Sequence, residues 1–344
     1  MAEFKLDLSF YSSTPPDMVS KAASLADDAG FDAIWVGEFY FFRDVISQLG
    51  YICAKTKNIR VATGTINIFT RHPALIAMTA ATLDHISNGR FTLGIGYGGF
   101  PRMPLMGYEL FPLEDKKPLK RLMLTVDVIK RLIARERVRH SETFVLSDVA
   151  LDFEPSRKHI PIYIFSEGSK TISLSPKFAD GAVITPGIKD VKTIESRIKL
   201  ARSSAEKHNP NFDITGVLYT LVTKDSKEAV EKVKKDIYFL FQILEVIPYT
   251  TVGKMKTLEE FGISQEKYGK MLDEWKRFNI PGVAAMIPDE LVRELMAAGS
   301  PDDCLEKIEG LKRIGLTRIC INPSASQDLE YLVSVFSPKE TMTS

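Results

Sequence analysis

The chain has 344 residues, of which 45 are basic and 44 acidic, so its formal net charge is +1 at pH 7. A nearly neutral chain has no overall field that attracts nucleic acid or an anionic membrane surface, and both kinds of partner are therefore disfavoured. The first residues, MAEFKLDLSF, contain no apolar core of signal-peptide length, and no stretch reaches about 18 uninterrupted apolar residues. We therefore expect a cytoplasmic protein with no membrane partner.

Cysteine and histidine residues give no indication of a metal site. The three cysteines, Cys53, Cys304 and Cys320, are far apart and form no CxxC pair, which favours buried, reduced thiols. The five histidines show no spacing typical of metal ligands. We therefore predict no bound metal.

Short apolar runs that end in glycine or small polar residues alternate with amphipathic segments along the whole chain. In chain order, the runs predict eight strands, at 4–10, 31–36, 61–66, 91–95, 161–165, 181–184, 214–222 and 318–321. The amphipathic segments predict helices near 17–29, 43–57, 73–86, 119–133, 171–178, 191–207, 226–240, 289–297, 301–313 and 329–336. Alternation of this kind favours a closed parallel (β/α)8 TIM barrel over a doubly wound sheet.

Two parts of the chain exceed what a minimal barrel needs. A long loop after the fourth strand is followed by a predicted hairpin at 144–153, and the segment 242–286 after the seventh strand is irregular and partly helical. Barrels of this kind commonly remain one domain despite such insertions. We therefore predict a single domain, 1–344, with insertions after strands 4 and 7.

The strand ends carry the residues that could bind a ligand, because functional groups of TIM barrels lie at the carboxyl ends of the strands. The third strand runs into TGTINIFTRHP and the fourth into TLGIGYG, so glycines lie where backbone could approach a ligand closely. These two segments, with the intervening ATLDHISNGRF, resemble the bacterial-luciferase-like superfamily of flavin and deazaflavin enzymes. Within it, the resemblance is strongest to coenzyme F420-dependent methylenetetrahydromethanopterin reductases.

That resemblance implies a cofactor lying across the carboxyl ends of the strands. It places a cis peptide at Gly64–Thr65, against which the flavin-type ring packs, whereas the residues alone favour an ordinary trans bond. It also makes the turn at 166–170 a phosphate site, although a routine helix cap at Ser169 is an equal alternative. The implied cofactor-binding residues are Phe39, Gly64, Thr65, Ile66, Asn67, Gly96, Gly98, Ser166, Glu167, Gly168, Ser169 and Lys170.

Two carboxylates are the predicted catalytic groups. Asp7, read as ending the first strand, matches by position the strand-one glutamate of the reductases, and partial burial there would suit a general acid or base. Glu38 follows the second strand in GEFYFFRDV, where the reductases have a run similar to TDHYNNRNV. Phe39 thus replaces a histidine of the relatives and begins an aromatic wall suited to a planar ring. For Asp7 a purely structural role remains equally open, and Arg71 is read as a structural partner of a carboxylate.

The resemblance leaves three functions open. The first is an F420-dependent oxidoreductase that transfers a hydride between deazaflavin C5 and a substrate carbon of a small molecule. The second is an FMN-dependent luciferase-like monooxygenase, and the third is a non-catalytic flavin-binding member of the superfamily. The family usually forms dimers beside strands two to four, which implies a homodimer here.

Overall fold

The barrel accounts for the alternating pattern of the sequence. The computed structural model describes residues 4–39, 41–97, 118–185, 191–246 and 258–338. Within them, the strands are β1 (Lys5–Tyr11), β2 (Ala33–Gly37), β3 (Arg60–Thr63), β4 (Ile66–Asn67), β5 (Phe91–Gly96), β6 (Val138–His140), β7 (Leu146–Val149), β8 (Ile162–Phe165), β9 (Gly181–Thr185), β10 (Asp213–Val222), β11 (Ala297–Gly299) and β12 (Arg318–Pro323).

The strands close into a ring by parallel pairing. The order is β1, β2, β3, β5, β8, β9, β10 and β12, and β12 pairs with β1 to complete the circle. β4 continues β3 after a two-residue break and pairs with β5, while β11 adds to the end of β10. All eight strand positions of the predicted TIM barrel are therefore confirmed.

Helices lie outside the ring, and most follow the predicted boundaries closely. The helix predicted at 226–240 is interrupted after Val233, and the helix predicted at 171–178 ends at Leu174. In chain order they are α1 (Pro16–Ala29), α2 (Val45–Lys55), α3 (Pro73–Ile86), α4 (Pro118–Ile133), α5 (Ser169–Leu174), α6 (Val191–His208), α7 (Ser226–Val233), α8 (Ile237–Phe241), α9 (Gln265–Lys276), α10 (Ile280–Ala284), α11 (Asp289–Leu295), α12 (Pro301–Ile314) and α13 (Leu329–Phe336). Their ends follow local chemistry: α1 has a proline at its start and stops at Gly30, whose φ of 87° is left-handed.

The interior of the ring is filled by large aromatic side chains opposed by small ones. Trp35 packs edge-on against Tyr163 at a centroid separation of 5.2 Å and lies 5.9 Å from Phe165. Ala33 and Ala62 leave the room that these rings occupy. Because side chains occupy this interior, ligand space lies at the ends of the barrel.

The insertion after the seventh barrel strand forms a second apolar cluster. Buried residues of α7 to α11 pack together and against the outer half of β10, through Tyr219 and Leu221. The predicted hairpin after the fourth strand is also present, although it spans β6 and β7, 138–149, and so begins and ends earlier than the predicted 144–153. Both predicted insertions are therefore found.

The cysteine thiols are buried and reduced, as the sequence predicts. All three cysteines are free and buried, and burial raises the pKa of Cys53 to about 11, so its thiol stays protonated and unreactive. Across the described ranges, no helix has the length and apolarity needed to span a membrane.

Asp27 on α1 holds the turn that leads into β3. Its carboxylate accepts hydrogen bonds from the backbone amides of Lys57, Asn58 and Ile59, at 2.7 to 3.2 Å. Partial burial alone raises the pKa of Asp27, but the three amides outweigh it and the net pKa lies below its usual value. The ionised form is therefore the one that stabilises the fold.

We expect Asp27→Asn to lower the free energy of unfolding by about 1–2 kcal/mol at pH 7, measured by urea denaturation. A carboxyl whose folded pKa is depressed contributes stability above its unfolded pKa and loses it as the pH falls through the folded value. The difference from wild type should therefore shrink below about pH 4. The control is the exposed Asp152, whose Asn variant should match wild type throughout. A deficit that does not depend on pH would contradict the charge-based explanation.

Candidate active site

A cis peptide bond joins Gly64 to Thr65 where β3 breaks into β4, as the sequence resemblance implied. The break is held from β2, because the Gly64 amide donates to the Val36 carbonyl at 2.8 Å and the Glu38 amide donates to the Thr65 carbonyl at 3.0 Å. The bond lies at the carboxyl end of the barrel, beside the last residue of β2, Gly37. It forms a flat backbone surface at the mouth of the barrel, which we call the platform.

Gly37 is glycine because the platform lies against it. A methyl group at Gly37 would lie 2.6 Å from the Gly64 carbonyl oxygen and 3.1 Å from Tyr11 Cδ1. Neither distance is compatible with an ordinary carbon contact unless the neighbours move. The platform can therefore keep its position only because Gly37, at the end of the neighbouring strand β2, has no side chain.

Packing between strands explains the two glycines of β5, whereas the sequence pattern predicted that they contact a ligand. A methyl group at Gly94 would lie 2.0 Å from the Thr63 carbonyl oxygen, and one at Gly96 would lie 2.7 Å from the Phe165 carbonyl oxygen. Close packing between strands thus explains both glycines, and the cofactor-binding role predicted for Gly96 is no longer needed to explain its identity. Gly98 and most of the loop after it, 98–117, lie outside the described residues.

Ile66 and Asn67 shape the segment after the platform. Ile66 is fully buried, so its side chain belongs to the core and only its backbone can face a ligand. Asn67 accepts from the Phe69 amide at 2.7 Å and donates to the Tyr97 carbonyl at 3.1 Å. Asn67 thus fixes the turn that follows β4.

Glu38 forms an ion pair rather than standing alone in the site. Arg71 Nη2 lies 2.9 Å from Glu38 Oε1 and 3.2 Å from Asp44 Oδ1, and the Asn67 amide lies 3.4 Å from Glu38 Oε2. His72 caps α3 by accepting from the Ala74 amide. Arg71 therefore has the structural partnership expected from the sequence, and Glu38 is tied to the segment beyond the platform.

The turn after β8 presents the predicted anion-binding groups to solvent. Ser166 is buried and its hydroxyl accepts from the Gly168 amide at 3.1 Å, while Gly168, Ser169 and Lys170 are exposed. Gly168 is the N-cap residue of α5, and no side chain caps that helix, so the routine cap at Ser169 is not formed. Glu167 lies 3.9 Å from Arg197, which partly offsets its negative charge. Hydroxyls, an ammonium group and helix amides are thus available to an anion.

Asp7 does not end the first strand, and this prediction was wrong. Asp7 is the third residue of β1, is fully buried and lies opposite Cys320 and Ala33, near the amino ends of β12 and β2. Its carboxylate accepts from Arg318 Nη1 at 2.8 Å and from the Trp35 indole at 2.7 Å. The strand runs on for four more residues, which carry it to the barrel mouth.

Arg318 anchors a charge network at this amino end. Besides Asp7, it contacts Asp32 and Asp213, and Asp32 also pairs with Arg60. Burial raises the pKa of Asp7, and Arg318 counteracts this effect. Asp7 and the platform lie toward opposite ends of the barrel, an arrangement that favours the structural role over the proton-donor role predicted for Asp7.

Three tyrosine residues that the sequence did not single out meet at the barrel mouth. The hydroxyls of Tyr11 and Tyr219 are 2.6 Å apart, those of Tyr219 and Tyr238 are 2.6 Å apart, and Tyr238 donates to Tyr11 at 3.0 Å. Alternation along β1 and β10 could have placed Tyr11 and Tyr219 inward at the strand ends. Nothing in the sequence points to Tyr238, which α8 supplies just before the insertion.

An aromatic cleft of about 730 Å³ opens beside these hydroxyls. The predicted aromatic wall forms part of it, since the rings of Phe39 and Phe42 lie 5.4 Å apart and Phe39 lies 5.9 Å from Tyr11. Tyr40 lies outside the described residues. The cleft lining is Ser13, Phe39, Phe42, Lys232, Lys235, Asp236, Ile237, Tyr238, Phe241, Trp275, Ala325 and Ser326. A planar apolar molecule suits this lining.

Among the residues that the structure describes, no cluster of three or more histidine, cysteine or acidic side chains could hold a metal ion. The fold is that of a TIM-barrel enzyme, and the groups described above lie at the carboxyl ends of the strands, where the active sites of such barrels are found. The family described as luciferase-like monooxygenase matches residues 3–318, and the chain belongs to this family of oxidoreductases.

The 5,10-methylenetetrahydromethanopterin reductases of two organisms are similar to this chain over almost their whole length. A 5,10-methylenetetrahydromethanopterin reductase of Archaeoglobus fulgidus is 28% identical over 348 residues, which cover 98% of each chain. One of Methanolobus tindarius is 26% identical over 325 residues, covering 91% of this chain and 92% of the relative. The solved structure of the coenzyme F420-dependent tetrahydromethanopterin reductase from Methanopyrus kandleri has a TM-score of 0.84 at 20% identity, covering 98% of both chains.

Proposed function

We propose that this protein is an F420-dependent oxidoreductase that transfers a hydride between deazaflavin C5 and a carbon atom of a small-molecule substrate. The observation that carries the proposal is the cis Gly64–Thr65 platform at the barrel mouth, in a chain similar over 98% of its length to a methylenetetrahydromethanopterin reductase. When bound, the deazaflavin supplies the hydride chemistry, and the protein supplies orientation and exclusion of water.

The residues at the mouth fit such a cofactor. The platform offers a planar backbone surface to a ring, and Phe39 borders the adjoining cleft. A phosphate suits the turn 166–170, where a methyl group built on Gly168 would meet nothing closer than the hydroxyls of Ser166 and Thr171, at 3.7 Å. The backbone of Gly168 therefore lies between two hydroxyl groups, at a helix start that no side chain caps.

The protein's own residues orient the ligands. Arg71 holds Glu38 beside the segment 65–67, which keeps the edge of the platform in place. The barrel floor below the platform is closed by Trp35 and Phe165, whose packing excludes water from that side. In this proposal Glu38 positions the platform and does not carry the transferred proton, because Arg71 already pairs with its carboxylate.

The family description favours one other cofactor. Monooxygenases of luciferase-like type are the alternative, in which FMN replaces F420 and oxygen is activated at the flavin. The turn 166–170 suits the single terminal phosphate of FMN equally well. Substrate chemistry follows from which cofactor is bound, so binding is the decisive measurement.

A side-by-side titration of purified apoprotein with F420 and FMN tests the proposal, with quenching of cofactor fluorescence as the signal. We expect F420 to bind at low micromolar concentration and at least about tenfold more tightly than FMN, a difference of about 1.4 kcal/mol. A Lys170→Met variant should weaken F420 binding, whereas the same change at the exposed Lys158 should not. Preference for FMN would overturn the proposal in favour of a monooxygenase, and binding of neither would favour a non-catalytic member.

The homodimer implied by the sequence stays a prediction. Exposed apolar residues on α2 and α3, including Tyr51, Leu75 and Met78, are compatible with it. Sedimentation at micromolar concentration would measure the mass directly.

A further inference from the structure

The three tyrosine hydroxyls form a closed ring. With separations of 2.6, 2.6 and 3.0 Å, each of Tyr11, Tyr219 and Tyr238 can donate one hydrogen bond and accept one. Tyr219 is 3% exposed and the other two are half-buried, so the ring is largely shielded from bulk water. A closed ring of polar hydroxyls at the end of a barrel is more than strand packing needs, because phenylalanine would fill the same space.

The ring lies between the platform and the aromatic cleft. Gly37 touches both the Tyr11 ring and the Gly64 carbonyl, since a methyl group there would lie within about 3 Å of each. Tyr238 lines the cleft of about 730 Å³ and also a smaller cavity of about 120 Å³. Tyr11, Tyr219 and Asn322 line the smaller cavity as well. A substrate in the cleft can therefore place its polar end beside Tyr238, which hydrogen-bonds to Tyr11 on the side of the platform.

Burial keeps the hydroxyls of the ring neutral. It raises the pKa of Tyr238 and of Tyr219 well above the usual value, and the neighbouring Tyr11 hydroxyl adds to both effects. Asp236 accepts from the Tyr238 backbone amide, while Lys232 and Lys235 line the outer part of the cleft. At neutral pH the ring therefore consists of hydrogen-bond donors.

We propose that Tyr238 is the proton donor of this enzyme, and that the aromatic cleft takes planar substrates bearing a neutral carbonyl or imine group. The proposal rests on the proposed hydride transfer and deepens it. To reach a substrate, the Tyr238 hydroxyl leaves its bond to Tyr11, which at 3.0 Å is the longest of the three. Tyr11 and Tyr219 are positioning residues: after Tyr238 has given up its proton, the Tyr11 hydroxyl turns, and both hydroxyls donate to the phenolate oxygen of Tyr238. Such donors stabilise developing charge in the same way as an oxyanion hole.

The atoms and electrons of the step balance. The hydride adds to the carbon of the C=O or C=N bond, and the π electron pair moves to the oxygen or nitrogen, which takes the Tyr238 proton. A bound reduced deazaflavin would supply the hydride and be oxidised, the substrate would be reduced, and Tyr238 would become a phenolate. A water molecule in the smaller cavity, which has room for several, restores the proton from solvent.

Acetophenone labelled with ¹³C at its carbonyl is a suitable probe, because it is planar and forms no Schiff base readily. Its carbonyl resonance should move downfield when it binds the wild-type protein, with or without F420, because the Tyr238 hydroxyl donates to it. In Tyr238→Phe the shift should vanish and binding should weaken about fivefold, the effect of one hydrogen bond. In Tyr11→Phe and Tyr219→Phe the shift should shrink but persist. Tyr51→Phe, on the exposed face of α2, should behave like wild type.

Turnover with reduced F420 gives the second measurement. Tyr238→Phe should lower kcat about 100-fold with a smaller change in KM, as expected when a general acid is removed. Failure of acetophenone to bind wild type at millimolar concentration, or a carbonyl shift that survives Tyr238→Phe, would overturn the proposal. Because the shift is read without cofactor as well, a protein that binds acetophenone through Tyr238 but not F420 would refute the proposed function alone.

Discussion

Arg318→Met should lower the free energy of unfolding by about 3–5 kcal/mol, the largest stability loss we expect from a single charge change in this protein. Arg318 is 1% exposed and faces three carboxylates, of Asp7, Asp32 and Asp213. Removing it leaves Asp7 fully buried without its cation, and the remaining indole hydrogen bond from Trp35 replaces little of that interaction. Urea denaturation followed by far-ultraviolet circular dichroism measures the loss.

The pH dependence identifies the cause. Without Arg318, burial raises the folded pKa of Asp7 further above its unfolded value, so protonation favours the folded state of the variant. A group with a raised folded pKa contributes stability below its unfolded pKa and loses it as the pH rises. The deficit of Arg318→Met should therefore be smallest near pH 4 and grow toward pH 7.

Arg137→Met is the matched control. Arg137 pairs with Asp148 at 3.0 Å, but its side chain is 66% exposed, so the pair should contribute about 0–1 kcal/mol. Equal losses for the two variants would contradict the argument from burial. A folded Arg318→Met protein that still binds F420 would also support the assignment of this network to stability and not to the proposed chemistry.

The barrel could be predicted because its signals are local. Each strand is a short apolar run closed by glycine or a small polar residue, and each helix carries its own start and stop residues, such as Pro16 and Gly30. Register and closure then follow from the right-handed βαβ connection, which repeats around the ring. The cis bond at Gly64–Thr65 was predictable only through resemblance, because backbone isomers leave no trace in composition.

The site was less predictable because its groups come from distant segments. Asp7 was misread since its partner, Arg318, lies 311 residues away and at the opposite end of the barrel from the platform. Gly94 and Gly96 were read as ligand contacts, although neighbouring strands explain them. Tyr238 comes from α8, within the predicted helical segment 226–240, and its meeting with Tyr11 across 227 positions is a tertiary property.

Gly37→Ala should have a large effect on cofactor binding, although it leaves the ligand-facing side chains unchanged. The new methyl group would lie 2.6 Å from the Gly64 carbonyl oxygen, which belongs to the neighbouring strand and cannot rotate away as a side chain could. Accommodating it moves the platform or the Tyr11 ring. We expect F420 affinity to fall about 10- to 100-fold, that is by about 1.4–2.7 kcal/mol.

The loss of stability should matter less than the loss of cofactor affinity, because the protein should remain folded. Overpacking of this kind costs about 1–3 kcal/mol, which a barrel of this size tolerates while remaining folded. Fluorescence titration with F420 measures the affinity, and urea denaturation of the same samples measures the stability. A Gly37→Ala variant that keeps wild-type F420 affinity would show that the deazaflavin ring does not pack on the platform.

Gly50→Ala is the control because it makes the same chemical change with the opposite expectation. Gly50 lies within α2, and a methyl group built on it meets no atom within 4 Å. Alanine restricts the unfolded chain and favours helix, so this variant should gain about 0.5–1 kcal/mol of stability. Its F420 affinity should equal that of wild type, since α2 packs outside the barrel, away from the platform. Gly37→Ala should lose both stability and F420 affinity, whereas Gly50→Ala should gain stability and keep its affinity. This difference would tie the losses at Gly37 to contact with the platform and not to the replacement of glycine itself.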